Sequence, residues 1–596
     1  MLKNKFYSLL IILSMSHWVS KSMASGYSTD DLDKTNLCDS LPRLQKVKLP
    51  LGFCLGLVDS GVTQFSINNT TVGETTIFSP RSIVEVQQNQ FILVDQGSKD
   101  NMAFAGQIFL IEKKNNQFQR TLLANSKFNP GKFPEEAFIR PSHIAKFKDR
   151  IFFSTSRAIF SFQFKNGLIS DIKKVISNIQ ISTDPLVLKA ELHPLKNFIF
   201  DQNGNLIVNV GSPSNNCTTK IFKNKNEKCQ ERETRSQLRL YHRLLDDTYN
   251  PNFDLIAKGL RNSMALAIHP EQPNWLFQGE NSRDAIHKVT ANPNLFGDGK
   301  TLPHDELNLI DLTKFSETQI PFDFGWPFCY SDNQSSPEYP NVNCTKFNAP
   351  FILLPAHAAP LGMIFHTGTN WPQYYKNALL MSLHGYDYSG HRIILSEQKQ
   401  SGLPSNQIYN FVWNWGIEGN LTLGSPVELF ETHDGSVMVT EDNNHTIWRL
   451  YFDPKYLNNI AETTPNVSLK VDLERVKPFY KQNKYEELKA QKILNKRLAL
   501  ANPPLFSKIQ NLLIDKHCAE CHKIKDDSQM LSYNDTVNSD FLVRAKLVIP
   551  FQPKNSPFYN LLESEAMPPS GMPAGERARL LKLVEDWINL GAPKPD

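Results

Sequence analysis

Between residues 78 and 452 one pattern recurs six times: a short apolar strand, a turn rich in Asp, Asn, Gly or Gln, and a second strand of β-branched or aromatic residues. The copies run over Ser82–Gln96, His143–Ser156, Phe198–Ser212, Met264–Glu280, Leu361–His384 and Val427–Asp442. Period-two alternation around turns such as Asn203-Gly204 and Asp434-Gly435 predicts antiparallel hairpins. A hairpin cannot bury both of its faces alone, so repetition at tens of residues predicts stacking into a ring. The expected fold class is mostly β: a six-bladed β-propeller over residues 25–453, with a large β-sandwich or two smaller barrels as the alternatives.

The strand pattern stops at Pro454. A Lys-rich run, Lys484–Leu500, then leads to Asn502-Pro503-Pro504, which reads as a linker over 454–504, its basic face solvated. Beyond it lies Cys518-Ala519-Glu520-Cys521-His522. Cys-x-x-Cys-His is the sequence through which c-type haem is attached: two thiols on one turn each add to a porphyrin vinyl group, and the adjacent imidazole reaches the iron. His522 is the expected proximal ligand and Met567, in Met567-Pro568-Pro569, the distal one, with Met572 as its rival. A His/Met pair suits electron transfer. Leu580, Leu581, Leu583, Val584, Trp587 and Ile588 recur at helical spacing within Glu576–Leu590. Residues 505–596 thus read as a small all-α cytochrome c domain. The alternatives for the motif are a buried Cys pair or disulfide; a zinc site would want a second ligand pair.

Met1–Ala24 has a basic start, an apolar run from Phe6 to about Met15 and a Ser22-Met23-Ala24 ending, the pattern of a secretory signal cleaved before Ser25. The apolar run is short for a membrane anchor, which is the other reading. No membrane-spanning segment is expected after cleavage, and the protein is expected to be periplasmic or secreted. The remaining six cysteines fall as local pairs, Cys38 with Cys54, Cys217 with Cys229 and Cys329 with Cys344. This clustering favours neighbours closing short loops in an oxidising compartment, each stabilising by about 3 kcal/mol; free thiols are the alternative. A net charge of +4 that includes the signal lysines gives no reason to expect nucleic acid as a partner.

Several segments together resemble a family. The opening of the third hairpin, Glu191-Leu192-His193-Pro194, is followed by Gly259-Leu260-Arg261-Asn262-Ser263, Gly279-Glu280-Asn281-Ser282-Arg283-Asp284, His304-Asp305-Glu306-Leu307-Asn308, Asp323-Phe324-Gly325-Trp326-Pro327 and His357–Met363. Their order resembles that of the soluble glucose and sorbosone dehydrogenases that use pyrroloquinoline quinone, across about residues 40–453. The resemblance implies a six-bladed propeller binding quinone and calcium at its axis. It makes His193 the general base that takes a hydroxyl proton while hydride passes to the quinone, a role for which imidazole titrates in the right range. It makes Arg261 and Asn262 the pair touching the quinone, whose three carboxylates suit a guanidinium fork. Arg81, His357, His384 and Arg392 are further candidates for the quinone pocket.

Two positions depart from the family pattern. A basic residue usually precedes the Pro-Val that opens the last blade, whereas this chain has Ser425 before Pro426-Val427. The loop after Glu280 carries Ser282 where related loops carry Gly, with an insert over 285–302 before Asp305 and Glu306, so the calcium ligands are not assigned. The reading is an exported quinohaemoprotein that oxidises a sugar, polyol or aldose and passes electrons through haem c to a downstream acceptor such as a soluble cytochrome or respiratory oxidase. The alternative from another class is an inactive propeller that serves as a docking module for an electron-transfer cytochrome; a haem redox sensor is a third.

Overall fold

Each of the six hairpins forms the inner pair of strands of one blade in the computed structural model. The structure describes residues 32–45, 47–67, 70–97, 106–177, 179, 192–217, 229, 231–246, 248–286, 301–385, 389–415, 424–457, 505–518, 538–550, 552–564, 572–589 and 592. Blade 1 is Pro80–Gln87, Gln90–Asp95, Gln107–Lys114 and Gln117–Asn125; blade 2 is His143–Phe147, Arg150–Ser154, Ile159–Lys165 and Leu168–Ile176. Blades 3, 4 and 5 begin with the inner strands Phe198–Phe200, Ala265–Ile268 and Pro360–Phe365. Each inner strand packs beside the next, and that of blade 6, Pro426–Glu431, returns to Pro80–Gln87, which closes the ring.

Closure is made by the two ends of the propeller segment. Phe53–Asp59 pairs antiparallel with Thr446–Phe452, so the early chain completes the sheet begun by Pro426–Glu431 and Val437–Glu441. A strand edge that would otherwise be open is thereby paired. Cys38–Cys54 staples the outermost strands to this blade. The other two disulfides, Cys217–Cys229 and Cys329–Cys344, also join sequence neighbours, as the cysteine spacing predicts.

Alternation along the middle strands sends successive side chains to opposite faces, and both faces are covered. In Gln107–Lys114, Ile108 and Leu110 face blade 2 with Ile151, Phe153 and Phe160, while Phe109 and Ile111 face blade 6 with Met438 and Ile447. Blade 3 repeats the device: Leu206 and Val208 meet Phe152 of blade 2, and Ile207 meets Leu276 of blade 4. The core is therefore a ring of inter-blade layers, and truncating one fully buried aromatic such as Phe153 costs about 3–5 kcal/mol. Turns are chosen by backbone handedness. Asn166 and Gly167 both have positive φ, 52° and 77°, as a tight two-residue hairpin turn requires.

The start of every inner strand and the end of the strand paired with it lie at the same rim. His193, Arg261, His357 and Ser425 precede inner strands, Arg81 opens one, and Glu280, His384 and Asp442 follow or end second strands.

The chain divides into two compact units, residues 1–472 and 473–596. The second is helical where described: Leu505–Ile509 continues as a wider π-helical stretch, Gln510–Cys518, followed by Ser539–Arg544, Pro557–Glu563 and Ala574–Asn589. The last matches the amphipathic stretch expected from Glu576, and its Leu580, Val584, Trp587 and Ile588 are buried with Phe506, Ile509, Leu513, Leu542 and Tyr559. Met572 sits in this core. Cys521, His522 and Met567 lie outside the described residues, and Cys518 is described in its backbone only. The expected signal segment, the linker run and the insert over 287–300 also lie outside them. Among the described residues no helix is long and apolar enough to cross a membrane.

Candidate active site

His193 is carried by the segment that enters blade 3. That segment is tied to the exit of the second strand: Leu192 N donates to Pro213 O at 2.9 Å, and Ser212 N donates to Arg261 O at 2.7 Å, joining blade 3 to blade 4. Gly211 lies between them. A Cβ there would stand 2.8 Å from His193 Cβ and 3.3 Å from both Arg261 O and Asn262 Oδ1, so only glycine lets these three residues approach. The His193 side chain is buried, and its Nδ1 lies 2.7 Å from the Ser212 carbonyl and 3.1 Å from Ser212 Oγ. A carbonyl oxygen only accepts, so Nδ1 carries the proton and Nε2 of the neutral ring is the bare nitrogen. Burial, then the positive charge of Arg261, pushes the imidazole well below its ordinary pKa of 6.5, against the pull of the Ser212 bond and Asp284, and Lys196 adds to the lowering. His193 is thus a neutral base across the physiological range.

Lys196 is fully buried beneath this segment and donates to the carbonyls of His193 at 3.3 Å and Pro194 at 3.1 Å. Arg261 is also buried. Its Nη1 donates to Asn281 O at 3.2 Å and Ser282 O at 2.8 Å, and its Nη2 to Asp284 Oδ2 at 2.7 Å. The Arg261–Ser263 turn is held by one carboxylate, Glu280, which accepts from Arg261 N, from Asn262 N at 3.1 Å and from Ser263 Oγ at 3.0 Å. Asp305 pins the neighbouring loops, accepting from Ser282 N at 2.8 Å and Ala359 N at 2.7 Å. Ala359 lies two residues after His357, whose Nδ1 is 3.6 Å from Asp284 Oδ1. Burial raises Glu280 and Asp305 to about 7, despite the bonds each accepts. Glu306, which faces Glu280 across the strand pair, is raised further by burial and by the Glu280 charge.

Blades 1, 5 and 6 contribute a second cluster. Asp442 Oδ2 accepts from Arg81 Nη1 at 2.9 Å, and Asp442 Oδ1 lies 2.8 Å from His384 Nε2. Ser425 is engaged elsewhere: its N donates to Glu441 Oε1 at 2.9 Å and its Oγ lies 2.9 Å from His391 Nδ1. Arg392 is bonded within its own blade, to Gly390 O at 2.9 Å and Asn410 Oδ1 at 3.0 Å.

The fold therefore brings His193, Arg261, Asn262 and His357 together on one side of the rim, and Arg81 with His384 on another. Arg392 joins neither group through these bonds. Sequence reasoning missed Asp284 and Asp442, the carboxylates that organise each group, and Ser212, which sets the tautomer of His193. Asp442 was legible as the last residue of the sixth hairpin, at the rim where Arg81 opens the first. Nothing local marked Asp284 apart from its place in the Glu280 loop.

A sequence model of the family described as TrAA12-like matches residues 69–407. An uncharacterized protein of Borreliella burgdorferi is 29% identical over 206 residues, 34% of this chain; the match spans 49%, about half, of that relative's length. The calcium structure of the Trichoderma reesei family AA12 carbohydrate-active enzyme is 18% identical, covering 70% of this chain and 99% of that one, with a TM-score of 0.50. The holo PQQ domain of pyranose dehydrogenase from Coprinopsis cinerea is 16% identical, covering 69% and 99%, with a TM-score of 0.49. At 18% identity the likeness to the Trichoderma reesei structure speaks to the fold alone.

Proposed function

Because the chain belongs to the TrAA12-like family, we propose that it is a sugar oxidoreductase: an exported quinohaemoprotein whose propeller oxidises a sugar or related alcohol with pyrroloquinoline quinone and whose C-terminal unit carries haem c. The observation that bears most weight is the His193 tautomer, a bare Nε2 on a buried neutral imidazole close to the Arg261 guanidinium.

The residues present fit a polyanionic cofactor. Arg261 and Arg81 supply guanidinium groups, His357 and His384 stand near them, and Arg81 Nε, Arg261 Nε and Asn262 Oδ1 are buried without a hydrogen-bond partner among the described residues. Arg261, Asn262, Arg81, His357 and His384 would hold the quinone. When bound, the quinone would supply a two-electron acceptor for the hydride released from the alcohol carbon. His193 Nε2 takes the hydroxyl proton, which raises electron density at that carbon as hydride leaves. Ser212 O keeps the imidazole in the productive tautomer, and Glu280 keeps the Arg261–Asn262 turn in register. Calcium fits less well: the carbonyls of Asn281 and Ser282 and the Asp284 carboxylate are turned on Arg261. Among the described side chains the group spaced for a metal is Cys217, Cys229 and Glu231, whose cysteines form a disulfide.

The reading extends to the rest of the chain. Residues 1–24 form a secretory signal, 454–504 a linker and 505–596 the cytochrome c domain, with Cys518 and Cys521 holding the haem and His522 and Met567 its iron. The three disulfides support an oxidising compartment, periplasmic or extracellular. Fusion in one chain raises the effective concentration of the electron acceptor, and a soluble cytochrome or respiratory oxidase takes the electrons onward. Ser425 favours a second reading, a propeller without quinone that docks a cytochrome, because this blade opening presents no cation of its own. An anaerobic optical titration of the full-length protein with quinone and a panel of aldoses and polyols decides between them. Quinone-dependent reduction of haem bands is expected; a c-type spectrum that no substrate reduces moves the assignment to the docking module.

A further inference from the structure

Asp284 differs from every other charged group on this side of the rim in being both fixed and open. Its main chain is clasped in both directions by one side chain: Asp284 N donates to Asn215 Oδ1 at 2.8 Å and Asn215 Nδ2 donates to Asp284 O at 2.8 Å. Asn215 is itself held by Trp326 Nε1, which donates to its carbonyl at 3.1 Å. The next residue back, Arg283, is buried and makes a two-pronged ion pair with Glu338 at 2.6 and 2.7 Å. Yet the Asp284 side chain is 57% exposed, against 6% for Arg261 and 17% for His357.

The carboxylate has acceptor capacity left. Oδ2 takes one bond from Arg261 Nη2, and Oδ1 is 3.6 Å from His357 Nδ1, beyond hydrogen-bond range. A carboxylate offers about four lone-pair positions, so most stay available. Burial pulls its pKa upward, but His357 and Arg261 outweigh this and hold it below the ordinary value, so it is an anion that only accepts. Such a group repels the carboxylates of a quinone and attracts a neutral O–H. It also lies within electrostatic reach of His193.

We propose that Asp284 is a substrate-orienting residue that accepts a hydrogen bond from a second hydroxyl of the substrate, near the hydroxyl deprotonated by His193, and so selects polyhydroxylated substrates over simple alcohols. The inference rests on the sugar oxidoreductase reading and names the part of the substrate that the site reads. A site built to bond a hydroxyl discriminates strongly against the analogue lacking it, because its own polar group is left unpaired.

The test uses the full-length protein loaded with pyrroloquinoline quinone, the preferred aldose and its monodeoxy analogues, with Asp284→Ala and the isosteric Asp284→Asn. In the wild type one deoxy analogue is expected to lose at least about tenfold in kcat/KM. Asp284→Ala should lower kcat/KM for the parent sugar by a similar factor, mainly through KM, and leave that analogue unchanged, while quinone affinity followed by fluorescence stays within about twofold; Asp284→Asn should fall between. An equal loss for parent and analogue, or parallel loss of quinone affinity in both variants, would overturn the proposal and reduce Asp284 to an anchor for Arg261. A quinone-loaded wild type that oxidises no sugar sinks the oxidoreductase reading, and the inference with it.

Discussion

The rim carries the same trio twice, an aspartate between an arginine and a histidine, in two different settings. Asp284 stands between Arg261 at 2.7 Å and His357 at 3.6 Å with its side chain 57% exposed; Asp442 stands between Arg81 at 2.9 Å and His384 at 2.8 Å and is only 7% exposed. Composition alone would assign the two one role. Burial separates them, because a closed carboxylate with both oxygens engaged serves to hold its cations, whereas an open one retains lone pairs for a ligand.

The largest effect expected at this rim is on chemistry rather than stability. Replacing His193 with Gln removes the base and should lower kcat by about 10²–10⁴ without changing quinone affinity, as steady-state kinetics beside a binding titration will show. If kcat survives, the proton is taken by another group, with His384 in the second trio the first to examine.

The sharpest test of the comparison is a matched pair of truncations. Asp442→Ala strands the buried Arg81 guanidinium and should cost about 3–5 kcal/mol in denaturant unfolding of the propeller. Asp284→Ala removes an exposed carboxylate and leaves Arg261 bonded to the Asn281 and Ser282 carbonyls, so it should cost no more than about 1 kcal/mol. Equal losses would show that the two aspartates are equivalent and that exposure does not separate them.

Gly211→Ala tests whether the blade 3 and blade 4 groups meet as closely as the geometry states. The added methyl group would press on His193 Cβ from 2.8 Å, so kcat/KM should fall at least tenfold by displacement of the imidazole, with a cost of about 1–3 kcal/mol in stability. A variant with unchanged kinetics would mean that the approach is looser.

The smallest effects concern pH, and they run in opposite directions for the carboxylates of this rim. Glu280, Asp305 and Glu441 are raised by burial to about 7, so the folded state holds protons that the unfolded chain releases. Their contribution to stability is therefore full below the ordinary carboxylate range, declines as pH rises from about 4.5 towards 7, and is lost above it. Asp284, held below its ordinary value, contributes stability above that value and loses it as pH falls. The melting temperature of the quinone-free protein should drop between pH 5 and about pH 8, less in a Glu280→Gln variant. Because His193 is lowered, the acid limb of kcat/KM should lie below pH 6.5.

Much of the fold was legible because it is local. Hairpin registers follow from alternation and turn residues, and all six inner pairs lie where the pattern put them. The short cysteine loops were legible for the same reason, as was the amphipathic helix ending in Trp587-Ile588. Of the candidate site residues, His193, Arg261, Asn262 and His357 were named from motif order, and the structure brings them to one side of the rim. Arg392 shared the residue chemistry but is bonded to Gly390 and Asn410 of its own blade, a difference that no local pattern encodes.

What the chain states directly is periodic or covalent: six hairpins, three local disulfides, one Cys-x-x-Cys-His sequence and a terminal helix. What waited on the tertiary structure is long-range pairing and burial. Closure of the last blade by Phe53–Asp59 joins strands almost four hundred residues apart, and Asp442 reaches Arg81 across the same seam. Whether a carboxylate is a buried clamp or an open acceptor, and whether an imidazole is neutral, depends on what other parts of the chain pack around it. Desolvation and Coulomb interactions act through space, so the identity of a residue and of its sequence neighbours does not specify them.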